Sequence, residues 1–513
     1  MEKLYNNILL SDDFQDSPCD FDKVPYLLNP PEVIDVTKGR QLFVDDFLIQ
    51  QTDLEPEYHK AQKYSGNPVL FPEKPWEKEG SPGACPKSGG IWYDEEQKLF
   101  KAWYEASWCR YMCYAVSKDG IHWEKPDLGI VPGTNIILPY THADTDEILP
   151  FSSDLTYFRP DSTTVFLDTD APARERYKLF LRNPGWEYPA IIGVSADGLH
   201  FTDLSFTGIV GDRSTVFYNP FRKKWVYSVR SQFWNGEFER SRIYCEVDHY
   251  LDGANWDKNR EHYWMRVDDK DLPKPDIGEK PHLYNVDCVG YESIMLGMFQ
   301  ILYGPDNHSC AQMGMPKVTE LMPMYSRDGY HFSRPCRESL IESTRQPGTW
   351  DRGYVQSVGG VTVIHGDELW IYYIAFAGDE EKKTPQESMD SGMYSNSATG
   401  IAKLRRDGFV SMNGEGALLT RKLTFSGKTA MYVNVQGSIS AQILDENGQV
   451  LDSSNVFCGD STKAELIFPK LRICDLNEKV FRIRFTVDGK LYAFGFADER
   501  GDFGGAHAAG IVE

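Results

Sequence analysis

The residues able to do chemistry in this chain are acids that recur at one position of a repeated strand pattern. Asp161 precedes the run Ser162-Thr163-Thr164-Val165-Phe166-Leu167, and Asp212 precedes Arg213-Ser214-Thr215-Val216-Phe217-Tyr218. A later unit offers Asp287, Tyr291 and Glu292, and the next offers Asp351, Arg352 and Gln356. Arg159 stands just before the first acid and Arg213 just after the second. The first unit holds Cys85, Lys87 and Ser88 but no carboxylate between Gly80 and Trp92. Carboxylates gathered from neighbouring units suit cleavage of an acetal: one gives a proton to the leaving oxygen, and another attacks or activates water. Crowding of like charges raises one pKa and keeps that acid protonated, while an adjacent arginine keeps its neighbour ionised. Taken singly, each acid reads equally well as a strand cap or an arginine partner.

The elements that must position these acids announce themselves by five Asp-Gly turns. The aspartates are Asp119, Asp197, Asp252, Asp328 and Asp407, at steps of 78, 55, 76 and 79 residues. A period of this size marks a repeat architecture. Three of the turns share Ser-x-Asp-Gly-x-His followed by Trp or Phe, so His122, His200 and His331 belong to the turns. Asp-Gly between apolar runs predicts hairpins of type I′. The runs before each turn are short, β-branched and aromatic, which predicts strands. About four strands per unit and five units give an all-β chain with a five-bladed β-propeller.

The chain of 513 residues exceeds one core, and after Met412 the pattern changes to alternating runs with turns at Asn447-Gly448 and Asp488-Gly489. These predict a small antiparallel β-sandwich over residues 413–499. The expected layout is an N-terminal arm over 1–39, the propeller over 40–412, the sandwich, and a loose Gly- and Ala-rich tail over 500–513. The stretch Gln41–Ile49 reads as the strand that closes the last blade against 399–404. It carries Asp45 and Asp46, which strand periodicity would send to opposite faces. Residues 257–280 read as a charged insertion, and the polar loop 378–397 is placed to cover the mouth of the pocket.

A net charge of −22 argues against nucleic acid and anionic membrane partners and identifies no substrate; a neutral ligand is expected, with a local basic pocket for an anion left open. The ten cysteines show no Cys-x-x-Cys pair and His59, His282 and His308 no metal spacing, so neither metal nor redox cofactor is expected. The N-terminal residues lack signal-peptide character and no apolar stretch spans a bilayer, so a cytoplasmic protein is expected, with a homo-oligomer left open.

The segments Leu42–Ile49 and Gly66-Asn67-Pro68-Val69-Leu70, the Ser-x-Asp-Gly-x-His-Trp turn and Gly211-Asp212-Arg213-Ser214 resemble the five-bladed propeller glycosidases, the group of glycoside hydrolase families 32, 43, 68 and 130. The chain is most similar to bacterial family 32-like proteins, which also carry a sandwich after the propeller. The Trp-Met-Asn-Asp-Pro-Asn-Gly nucleophile motif of family 32 is absent. Arg159-Pro160-Asp161 echoes its Arg-Asp-Pro motif in altered order, and Tyr291-Glu292-Ser293 is the nearest match to its acid motif. The resemblance implies a glycoside hydrolase with Glu292 as general acid, Asp161 as nucleophile or base and Asp212 tuning the pair. Asp45, Asp46, Arg159, Arg213, Asp287, Tyr291, Asp351, Arg352 and Gln356 would line the sugar site. A glycan-binding propeller without turnover, or a phosphorolytic or metal-assisted sugar enzyme, would use the same acids.

Overall fold

The structure is a computed structural model that describes residues 1–138, 160–182 and 188–512. Five antiparallel sheets follow one another along the chain as blades. Blade two runs Thr164–Leu167, Tyr177–Leu181, Tyr188–Ser195 and Thr202–Val210 from the axis outward, and blade three runs Thr215–Asn219, Lys224–Trp234, Glu237–Val247 and His262–Met265. Blade four begins with the eleven-residue strand His282–Glu292, and blade five pairs both Gly353–Ser357 and Val363–His365 with Glu368–Phe376. Blade one has a broken inner edge, Ala84–Cys85 and Ile91–Asp94, both on Leu99–Ala106. The segment 257–280 therefore contributes the outer strand of blade three.

All five Asp-Gly turns follow the third strand of a blade. In three of them the aspartate accepts the backbone N–H groups two and three residues on, and it also meets the histidine ring. For Asp119 these are Ile121 and His122 at 2.9 and 2.8 Å, with His122 Nδ1 at 2.7 Å. Gly120, Gly198 and Gly329 take positive φ while the preceding aspartates do not, so these are side-chain-capped turns and not type I′ hairpins. Glycine is needed for a second reason. A Cβ on Gly198 would come within 2.7 Å of the Trp103 ring of blade one, whose Nε1 donates to the Gly198 carbonyl at 2.7 Å. The repeat motif is thus the point where one blade presses on the one before it.

Blade five is closed by Gln62–Lys63, which pairs with Lys403 and Ala402. An N-terminal strand does close the ring, but it is not the Gln41–Ile49 stretch. Gln41–Leu42 and Ile49–Thr52 join a ten-strand sheet with the C-terminal strands Val410–Thr420, Ala430–Asp445 and Phe481–Ala497. That sheet wraps an apolar core of its own, including Phe43, Phe47, Leu418, Val433, Ile443, Phe485 and Phe494. The second domain is therefore built from both ends of the chain. Its tail is also fixed. Ala506–His507 pairs with the end of His282–Glu292, and Ile511–Val512 runs parallel to Val363–His365, so the last residues lie across the inner strands of blades four and five.

Candidate functional site

Four of the inner strands start at one end of the propeller axis, and a cavity of about 340 Å³ opens there. Asp161, Arg182, Asp212, Arg213, Tyr284, Lys317 and Tyr354 line it, with Trp108 and Cys109. Glu387, Ser388, Met389 and Tyr394 reach it from the 378–397 loop, at the mouth as the sequence suggests. A larger concavity of about 860 Å³ lies beneath the N-terminal arm, but the ionisable pair it shares with blade four, Asp328 and His331, is bonded within the turn.

Asp161 and Asp212 occupy equivalent places in neighbouring blades. Each precedes a residue in the left-handed region, Ser162 at φ 58° and Arg213 at φ 54°, so the chain turns sharply into the inner strand and leaves the carboxylate at its foot. The second strand of each hairpin returns a charged residue beside it. Arg182 Nη1 donates to Asp161 at 2.6 Å, and Arg230 pairs with Asp212. In blade one the same return brings Glu105 beside Lys87.

Lys87 is fully buried and shared: its Nζ stands 2.8 Å from Glu105, 2.9 Å from Asp161 and 4.0 Å from Cys109 Sγ. Burial alone would raise the Asp161 pKa, yet Lys87 and Arg182 outweigh it and hold the carboxyl well below its ordinary range. Burial pushes Glu105 up to about 7 against the pull of Lys87, with Asp161 adding to the rise. Glu105, Cys109 and Asp161 bring their ligand atoms within 4.8 Å of one another, the spacing of a metal site, and the cation they surround is the Lys87 ammonium. Across the cavity the Tyr284 and Tyr354 hydroxyls share a hydrogen bond. Burial opposes ionisation of Tyr284, but Lys317, the bond to Tyr354, Arg213 and Arg230 bring its pKa below the usual tyrosine value. The Trp108 ring carries Lys87 at 3.7 Å and stacks on Tyr394 at 4.1 Å, so its faces are engaged by protein.

Three expected site residues come together here: Asp161, Asp212 and Arg213. Asp287 and Gln356 lie inside the channel, where Asp287 accepts from Ser88 at 3.0 Å and from Asn285 at 2.8 Å. Arg159 is outside the described residues, as is Trp186. The others do not join the pocket. Glu292 ends the strand His282–Glu292, and Tyr284 lies near its start; eight residues at ~3.3 Å each put Glu292 roughly 26 Å from Tyr284. There it accepts from the Arg40 backbone and from Arg406, both at 3.0 Å, at the junction with the second domain. Tyr291 donates to Asp407 at 2.5 Å in the same junction. Asp45 is not half of a strand pair: it caps the turn Asp46–Leu48 and is held by Arg327, while Asp46 faces solvent. Asp351 pairs with Lys63 and Arg352 with Glu380.

Arg182, Arg230 and Glu105 were not singled out from the sequence. Their signal is the charge ending an apolar second strand, in Tyr177-Lys178-Leu179-Phe180-Leu181-Arg182, Val226-Tyr227-Ser228-Val229-Arg230 and Ala102-Trp103-Tyr104-Glu105. Fold and pocket together define a five-bladed propeller with a charged cavity where its inner strands begin. No family model and no curated protein matches the chain. Similar solved structures include an N-acetylgalactosamine deacetylase from F. plautii, at 13% identity over 70% of this chain and 96% of that one, TM-score 0.42. A family 43 arabinoxylan arabinofuranohydrolase from Bacillus subtilis aligns at 11% identity over 80% and 78%, TM-score 0.31. An α-L-arabinofuranosidase from Podospora anserina aligns at 11% identity over 67% and 97%, TM-score 0.37.

Proposed function

We propose that this cavity hydrolyses a glycosidic bond in a small carbohydrate. The observation that carries the reading is the pair Asp161 and Asp212, set at matching positions of adjacent blades in one pocket. Asp161, kept ionised by Lys87 and Arg182, suits the nucleophile or base that faces positive charge developing at the anomeric carbon. Asp212, with its side chain 28% exposed, supports it from the solvent side. Tyr284 is placed to protonate the leaving oxygen, its hydroxyl being more acidic than an ordinary phenol. The test is turnover of aryl glycosides and short oligosaccharides. Asp161→Asn and Asp212→Asn should each lower kcat by about 100-fold or more, and Tyr284→Phe by about tenfold or more, with melting temperature as the folding control. Near-normal turnover in Asp161→Asn sinks the assignment. Full engagement of Asp161 by two cations also favours a second reading, a glycan-binding site without turnover; sugar-dependent stabilisation with no product would select it.

A further inference from the structure

Arg213 is 3% exposed and lines the cavity, yet none of its three guanidinium nitrogens has a hydrogen-bond partner among the described residues. Burying an unpaired charge is costly, and a side chain kept in that state calls for an explanation. The neighbouring carboxylates are taken: Asp161 by Lys87 and Arg182, Asp212 by Arg230. Lys317, 2% exposed, sits over the Tyr284 and Tyr354 rings at 5.1 and 4.8 Å, with no carboxylate in ion-pairing reach among the described residues. Behind them Arg242 spends its donors on carbonyl oxygens of Arg213 and Tyr284, and its pKa is depressed by burial and then by Arg213 and Arg230. One wall of the pocket thus holds surplus positive charge, in a chain whose net charge is −22.

We propose that the ligand of this cavity carries an oxyanion, received by the guanidinium fork of Arg213 with Lys317 beside it. The inference rests on the reading that the pocket takes a carbohydrate. A sugar carboxylate, as in a uronic acid, accepts two parallel N–H bonds from such a fork, and a free phosphate presents the same edge.

The test reads the melting temperature of the full chain against rising galacturonate, glucuronate, galactose, glucose and inorganic phosphate, for wild type, Arg213→Met and Arg213→Lys. A ligand that binds only the folded state raises the melting temperature in a saturable way. Wild type should respond to the uronates or to phosphate and at most weakly to the neutral sugars; which anion acts tells whether the charge is on the sugar or on a second substrate. Arg213→Met, freed of the unpaired charge, should melt at or above wild type and bind the anion about tenfold or more weakly. Arg213→Lys, which keeps charge but loses the fork, should also weaken binding and serves if the methionine variant fails to fold. An anion response unchanged in either variant, equal stabilisation by neutral sugars, or no anion response in wild type overturns the inference. Turnover is not part of this readout; the hydrolase reading fails separately, in the turnover assay, as no product from a chain that still binds the anion.

Discussion

At the scale of single residues, the site turns on one buried ammonium shared between two carboxyls of opposite character. Asp161 is held ionised, whereas Glu105 titrates near neutral pH. Folding lifts the Glu105 pKa from about 4.5 to about 7, so between those values the folded chain keeps a proton that the unfolded chain has released. Stability therefore falls as pH rises through that window, by roughly 3 kcal/mol for so buried a group, and is flat above it. Glu105→Gln should show a smaller drop in melting temperature between pH 5 and pH 8 than wild type; an equal drop would place the titration elsewhere. Asp161 and Asp212 were legible because a turn followed by a β-branched run fixes which residue stands at the foot of an inner strand. Glu292 misled because an acid near an inner strand says nothing of which end it occupies, and an eleven-residue strand has two distant ends. Arg213 was visible as a neighbour of Asp212, but its unpaired state depends on which charges the other blades return to the pocket.

At the scale of elements, the Asp-Gly period located the third turn of all five blades, and three of these turns share one side-chain cap where a blade meets the one before it. The C-terminal tail is where composition failed as a guide. Glycine and alanine suggested looseness, yet they are what lets a chain pass between inner strands. A Cβ on Gly505 would stand 3.0 Å from the Cα atoms of Gly39 and Glu292. The Tyr93 amide donates to Ala509, and Ala509 donates to Thr362, tying blades one and five together through the tail. Deleting residues 503–513 should lower the melting temperature by about 5 °C or more. Melting within a degree of wild type would show that the tail only rests on the channel.

At the scale of the whole molecule, the two domains are joined by buried charge as well as by an apolar cluster in which Leu42, Val44 and Ala493 meet Val289 and Ile294. Arg40, from the N-terminal segment, pairs with Asp407 at 2.9 Å, and Asp407 also accepts from Tyr291 and Asn434. Arg406 reaches Glu292 from the same turn. The sequence implied a sandwich appended to a propeller because its alternating runs lie late in the chain. Pairing of that sheet with Gln41–Leu42 and Ile49–Thr52 is long-range, with no local signature. The junction gives Glu292 a structural task at the far end from the cavity.

The most direct measurement is turnover on an aryl glycoside and oligosaccharide panel, including uronides, by wild type, Asp161→Asn and Glu292→Gln, with melting temperatures alongside. The account predicts that Asp161→Asn loses about 100-fold or more in kcat while folded, and that Glu292→Gln melts lower but turns over within about twofold of wild type. Loss of turnover in a well-folded Glu292→Gln, with Asp161→Asn still active, would contradict it.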